Sequence, residues 1–335
     1  MADYKGIQGY MVQSLSSDPG TISEVLGQVW YNSSSNVWKV AIQGDGAWAS
    51  GGDLVNARKH PAGAGASSSS GLIYGGSPYS KNSESYDGTT WTEGNNLNTG
   101  RNGPGGAGIA TAALSISGSI GPGQPGTPKT EDYDGTCWTE LNNLSQTGRG
   151  GGVGIGTATA GMYVGGGIPY GVSALTWAEH YNGTCWSEGA DLNTGRGARP
   201  GGAGIETACI LMTGSNPTIV IDNCEEYNGT SWAEVSDVNT KRGYTWGIGT
   251  SQTSCLIAGG DAGSPPSPST HGKTETYDGT SFTEAATLGT PRGDEGGGGT
   301  GTDGFISGGN LFPGTGNETE EWADPVIAAK TLTTS

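Results

Sequence analysis

Six times along this chain the same phrase returns. It reads Glu, one residue, a large aromatic, and in five copies Asp/Asn-Gly-Thr-x-aromatic directly after. The leading aromatics are Tyr86, Tyr133, Tyr181, Tyr227 and Tyr277, with a decayed sixth copy at Glu320-Glu321-Trp322. Counting 86→133→181→227→277→322, they stand 47, 48, 46, 50 and 45 residues apart. A period of about 40–50 residues, made of short strands and Gly-rich turns, predicts an all-β chain folded as a β-propeller with one blade per repeat.

One repeat can be read strand by strand. Gly106–Ala112 is small throughout and suits the innermost strand, where chains crowd the central channel. Ala113–Gly118 alternates apolar and polar and reads as the second strand. Thr130–Tyr133 is the third, and Cys137–Glu140 the outer strand. Between the last two, Asp134-Gly135 supplies the positive φ that a tight hairpin demands. Gly makes up 65 of 335 residues, which would suggest disorder in a chain without a repeat. Here ten Trp and thirteen Tyr recur largely at fixed offsets, so a core is being specified.

Two ionisable residues travel with the repeat. An Arg opens each one: Arg58, Arg101, Arg149, Arg196, Arg242 and Arg292. A Glu stands two residues before each leading aromatic: Glu84, Glu131, Glu179, Glu225, Glu275 and Glu320. Reactions happen at one place, so residues present in every blade read as architecture. Guanidinium–carboxylate bonds that fix blade to blade are the expected role.

The ends are less regular. Tyr31 precedes Trp48 by 17 residues, as Tyr74 precedes Trp91, so residues 28–50 read as a divergent N-terminal blade of three strands, the third at Ala47-Trp48. That gives seven blades. In the rival count of six, Trp48 supplies the outer strand that closes the last repeat. The expected layout is an arm over 1–27 and a propeller over 28–335, with a strand-like tail from 325.

Second strands ending in Gly pairs (Gly75-Gly76, Gly165-Gly166, Gly259-Gly260, Gly308-Gly309), the Tyr and Trp of neighbouring strands and the opening Arg together resemble the kelch repeat over residues 43–324. The Tyr-to-Trp distance of five is shorter than the kelch pattern. The resemblance implies four-stranded blades and says little of activity. Met11–Gly20, followed by Gly27-Gln28-Val29-Trp30-Tyr31-Asn32-Ser33, resembles the opening of kelch-like structural proteins of tailed bacteriophages, marine ones in particular.

Several chemistries find no support. The formal charge of −17 repels phosphate backbones, so no nucleic-acid partner is expected. No apolar run reaches membrane-spanning length and no export signal is visible, so synthesis in a host cytoplasm without membrane insertion is expected. Five Cys read as free thiols; three scattered His lack ligand spacing, so no metal and no cofactor is expected. Asp-Gly-Thr-x-Trp resembles sialidase Asp-boxes at a spacing one residue too short, and such boxes are themselves turn motifs. No enzyme is expected. What the resemblance implies is a non-enzymatic virion component that contacts other virion proteins and copies of itself. The alternative is a receptor- or glycan-binding head that presents Tyr79, Tyr170 and Trp177 from the loops to a host surface glycan. A cellular kelch-type scaffold is the third reading.

Overall fold

The computed structural model describes residues 13–19, 27–43, 46–168, 173–197, 199–215, 219–261, 271–311, 314–324 and 327–332. Among them every regular element is a strand, and the strands form seven four-stranded sheets. The chain divides into two compact units, Ala47–Ala323 and a smaller one combining Met1–Gly46 with Asp324–Ser335.

The large unit holds six blades. Blade one comprises Ala62–Ser67, Ser70–Tyr74, Ser83–Tyr86 and Trp91–Glu93. Blade two comprises Gly105–Ile109, Ala112–Ile116, Thr130–Tyr133 and Trp138–Glu140; against the sequence reading the innermost strand ends three residues earlier and the second strand two, and the other bounds agree within one residue. Blade three is Val153–Gly156, Gly161–Val164, Ala178–Tyr181 and Trp186–Glu188; blade four is Gly201–Ile205, Ala208–Met212, Cys224–Tyr227 and Trp232–Val235. Blade five is Trp246–Ser251, Ser254–Ala258, Thr274–Tyr277 and Phe282–Ala285. Blade six takes Gly296–Gly299, Asp303–Ser307 and Thr319–Ala323 from the C-terminal side and Ala47–Ser50 from the N-terminal side.

Inner strands of consecutive blades pack side by side, and that of blade six packs on that of blade one. The ring therefore closes through six blades. The seven sheets match the number of blades favoured from the sequence, while the ring itself has the rival number. The correction falls on Ala47-Trp48, which belongs to blade six and not to the N-terminal sheet. Blade six carries no outer strand of its own, and Trp48 stands opposite Trp322 just as Trp91 stands opposite Tyr86.

The core lies between blades. Six apolar clusters occupy the six junctions, each with a cross-strand aromatic pair or its equivalent. Between blades three and four, Val153, Ile155, Met162 and Val164 meet Cys209, Leu211, Tyr227 and Trp232. Each connector adds one wedge, namely Leu54, Leu97, Leu144, Leu192, Val238 or Leu288. A blade alone would leave this face wet, so stability depends on neighbours.

Glycine makes the close ring possible. At the second position of the inner strands stand Gly63, Gly106, Gly154, Gly202, Gly247 and Gly297. A Cβ on Gly154 would lie 2.7 Å from the Gly106 carbonyl oxygen, and one on Gly247 would lie 2.5 Å from the Gly202 nitrogen. Real Cβ atoms do not approach backbone that closely, so the channel wall is written in Gly.

In the smaller unit Gln13–Leu15 runs parallel to Val29–Asn32, which pairs antiparallel with Val37–Gln43; Ile327–Thr331 completes the sheet. The strand-like tail thus finishes this sheet. The unit boundary falls at 46/47, whereas the sequence reading began the propeller at 28. Asp18 gathers this unit, accepting from Lys39 Nζ at 2.7 Å, Asn32 Nδ2 at 2.8 Å and Trp30 Nε1 at 3.3 Å. The Lys39 bond first, and the other two with it, holds its carboxyl below the usual Asp range.

Candidate functional site

The repeated charges come first. All six Arg are buried, as are the six Glu. Arg149 Nη1 meets Glu179 Oε1 at 2.9 Å; Arg196–Glu225 and Arg292–Glu320 close at the same distance, and Arg242–Glu275 at 2.5 Å. Arg58–Glu84 and Arg101–Glu131 complete the set. Each pair lies within one blade, so the blade-to-blade expectation needs correcting. The Arg sits on the connector arriving from the previous blade, and the Glu on the third strand of the blade being entered. The carboxylate also takes connector N–H groups, as Glu225 does from Asn193 at 2.8 Å and Thr194 at 3.1 Å. The guanidinium spends its other donors on second-strand and loop carbonyls, as Arg196 does on Thr213 and Asn223. Of these guanidinium and carboxylate atoms only Nε of Arg196 and of Arg242 is buried without a partner among the described residues.

The aromatic candidates fare differently. Trp177 is half-buried, its ring 5.7 Å from the Arg149 guanidinium carbon, so it packs on architecture. Tyr79 is half-buried at φ +79° in the loop between the second and third strands of blade one. Tyr170 lies outside the described residues.

What breaks the six-fold pattern lies just after each opening Arg. There the chain turns toward the channel in the left-handed region at His60, Gly103, Gly151, Arg199, Tyr244 and Asp294, with φ of 58, 63, 71, 41, 55 and 61°. Main-chain bonds link these turns in a circle. His60 N–H donates to Asp294 O, Asp294 to Tyr244 O, Thr245 to Arg199 O, Arg199 to Gly151 O, Gly151 to Gly103 O and Gly103 to His60 O, all at 2.9–3.2 Å. Glycine takes this conformation freely; in the other four it costs on the order of 1–3 kcal/mol apiece.

Those four side chains form an asymmetric ionisable cluster. His60 Nε2 lies 2.9 Å from Asp294 Oδ2, and its Nδ1 lies 3.0 Å from Asn102 Oδ1. Arg199 reaches across the ring from blade four, donating through Nη2 to the carbonyls of Pro61 at 2.5 Å and Glu295 at 3.1 Å. Its guanidinium carbon lies 5.8 Å from the Trp246 ring centre. Burial, then Asp294 and Asp261, pushes the Tyr244 phenol up to about 12. Glu295 is fully buried, and neither carboxyl oxygen has a partner among the described residues. Burial above all pushes its carboxyl up to about 8, so it is largely uncharged at neutral pH.

Sequence reasoning missed this cluster because it weighed only what repeats. The available signal was the position two after each opening Arg, where His60, Tyr244 and Asp294 replace Gly103 and Gly151; Arg199 is displaced by one inserted residue. Among the described residues no group of three or more His, Cys, Asp or Glu side chains could hold a metal ion. Among the same residues no helix is long and apolar enough to cross a membrane.

No protein-family model matches the chain, and no curated protein matches it. Among solved structures, one described as the structure of YjhT aligns over 84% of this chain and 99% of its own, with a TM-score of 0.65 and 13% identity. Likeness at that identity concerns the fold alone. Together with the closed ring of four-stranded sheets, it makes the chain a β-propeller protein.

Proposed function

We propose that this chain is a non-enzymatic structural component of a bacteriophage virion, a tail, fibre or capsid-surface part whose kelch-like propeller is an interaction platform. The observation that supports this reading is the fate of the repeated ionisable residues. All are buried and bonded to one another or to backbone, so the fold consumes the chemistry that the sequence repeats. The resemblance of residues 11–40 to phage appendage proteins supplies the particle. Its partners would be other virion proteins and copies of itself, reached through the N-terminal segment, where Val29 and Trp38 stand exposed.

A second reading, a glycan- or receptor-binding head, is favoured by the arrangement of the loops. Isolated bridges Asn102–Ser119, Gly150–Gly167 and Gly243–Asp261 set the described starts of the loops after the second strands beside the connectors that lead into the His60–Arg199–Asp294 ring. Mass spectrometry of purified particles tests the first reading, which expects the chain at a fixed copy number. Absence from particles would leave the cellular scaffold. Normal particles that adsorb poorly without it would favour the second reading.

A further inference from the structure

The channel wall is nearly six-fold in character, and it departs from neutrality at one place. A cavity of about 80 Å³ runs along the inner strands, from Pro200 and Trp246 at one end to Gly65, Gly108 and Thr250 at the other. Beside it, a space of about 10 Å³ opens between Pro104, Gly152, Val153 and Arg199. Backbone and small or apolar side chains make up the rest of both linings. Arg199 is the one charged side chain among the described residues that faces either space.

That guanidinium is held rigidly and left incompletely bonded. Nη2 is fixed by two carbonyls from blades one and six, while Trp246 backs the plane. Nη1 has no acceptor among the described residues, and Nε stands 3.9 Å from Asp294 Oδ1, beyond hydrogen-bond reach. The side chain is only 4% exposed, so bulk water does not satisfy it. Buried donors of a charged group call for an acceptor in place. Asp294 is partly engaged through its other oxygen by His60, and Glu295 offers Arg199 only its carbonyl. A cation would be repelled here; Asp294 offsets part of the charge from 3.9 Å, its Oδ1 itself without a hydrogen-bond partner, and a hydroxyl would answer the Nη1 bond alone. A small anion answers both, and the volume admits only a few atoms.

We propose that the central channel binds a small monovalent anion, a halide or a carboxylate no larger than acetate, on Arg199 Nη1. Arg199 thereby acts both as the floor of the channel and as the ligand-holding group.

Crystals grown with bromide in place of chloride test this directly on the unaltered chain. The expected result is one anomalous peak beside Arg199 Nη1; water alone at that position overturns the proposal. Melting at constant ionic strength, with formate replacing gluconate, gives the solution test. At a hundredfold excess over Kd the unaltered protein should gain about 5 °C. Arg199→Met should show no such gain, and Arg199→Lys, which keeps a charge, should retain part of it. An equal gain in Arg199→Met would overturn the assignment, and the bromide result stands by itself should that variant fold poorly.

Discussion

Trp48 and Trp322 stand directly opposite one another on paired strands, their rings 5.3 Å apart, although nearly the whole propeller separates them in the chain. Every other blade makes this aromatic pair from one hairpin; Tyr86–Trp91 and Tyr227–Trp232 are examples at 4.8 and 5.0 Å. Blade six makes it from the two ends of the ring. Trp48 also donates Nε1 to Thr274 Oγ1 of blade five at 2.8 Å, so one side chain ties the closing strand to two blades. Closure that joins the first strand to the last couples every junction to every other.

Trp48→Ala should accordingly cost about 3 kcal/mol, toward the low end for truncating a buried aromatic because Trp48 is only half-buried. Trp48→Phe, which keeps the ring and loses the Thr274 bond, should cost about 1 kcal/mol. Urea midpoints of the two variants measure this. Equal midpoints for Trp48→Ala and the parent would mean that the closing strand is dispensable.

For Arg149→Ala the expected loss is about 3–5 kcal/mol, because Glu179 would be left buried beside carbonyls that have also lost their donor. Double replacement by Arg149→Met and Glu179→Leu should recover part of it, since no unpaired charge then remains. A cost near 0.5 kcal/mol, as at a free surface site, would contradict an architectural role.

These outcomes bear on what could be read from the chain. The blades were legible because Tyr133, Asp134-Gly135 and Trp138 carry strand, turn and strand within six residues, and such local chemistry repeats. The Arg–Glu set was legible as a pattern but not as a geometry. Spacing gives Arg196 and Glu225 without telling whether their bond lies inside a blade or across a junction. Ring size was legible only as two counts, seven and six, because the partner that decides between them, Trp322, is remote from Trp48. The Arg199–Asp294 cluster was hidden by its own asymmetry, since a repeat pattern leaves out whatever occurs once.

Stability should depend on pH through Glu295. Its folded value of about 8 lies above the ordinary 4.5, so the folded state holds the proton more tightly than the unfolded chain. This group's contribution is therefore fully present below pH 4.5, falls by about 1.4 kcal/mol per pH unit as pH rises toward 8, and levels beyond. Glu295→Gln removes the titration. Unfolding measured from pH 5 to 9 should give a flatter profile for the variant and its largest advantage at pH 8–9. Parallel profiles would mean that Glu295 is ionised and solvated in the folded protein.

Finally, the glycine wall makes a positional prediction. Gly154→Ala adds one methyl where the Gly106 backbone of the neighbouring blade is 2.7 Å away, and backbone cannot step aside as a flexible side chain can. Separating two inner strands opens the junctions on both sides, so the cost should reach at least 2–3 kcal/mol, at the upper end for overpacking. Gly314 is the control. It has nothing within 4 Å of an added Cβ and no left-handed φ, so Gly314→Ala should be neutral, or more stable by up to about 1 kcal/mol through the unfolded chain. Thermal melts of the pair separate contact from composition. If both variants melt like the parent, the ring has slack at Gly154 and its glycines answer to something other than strand proximity.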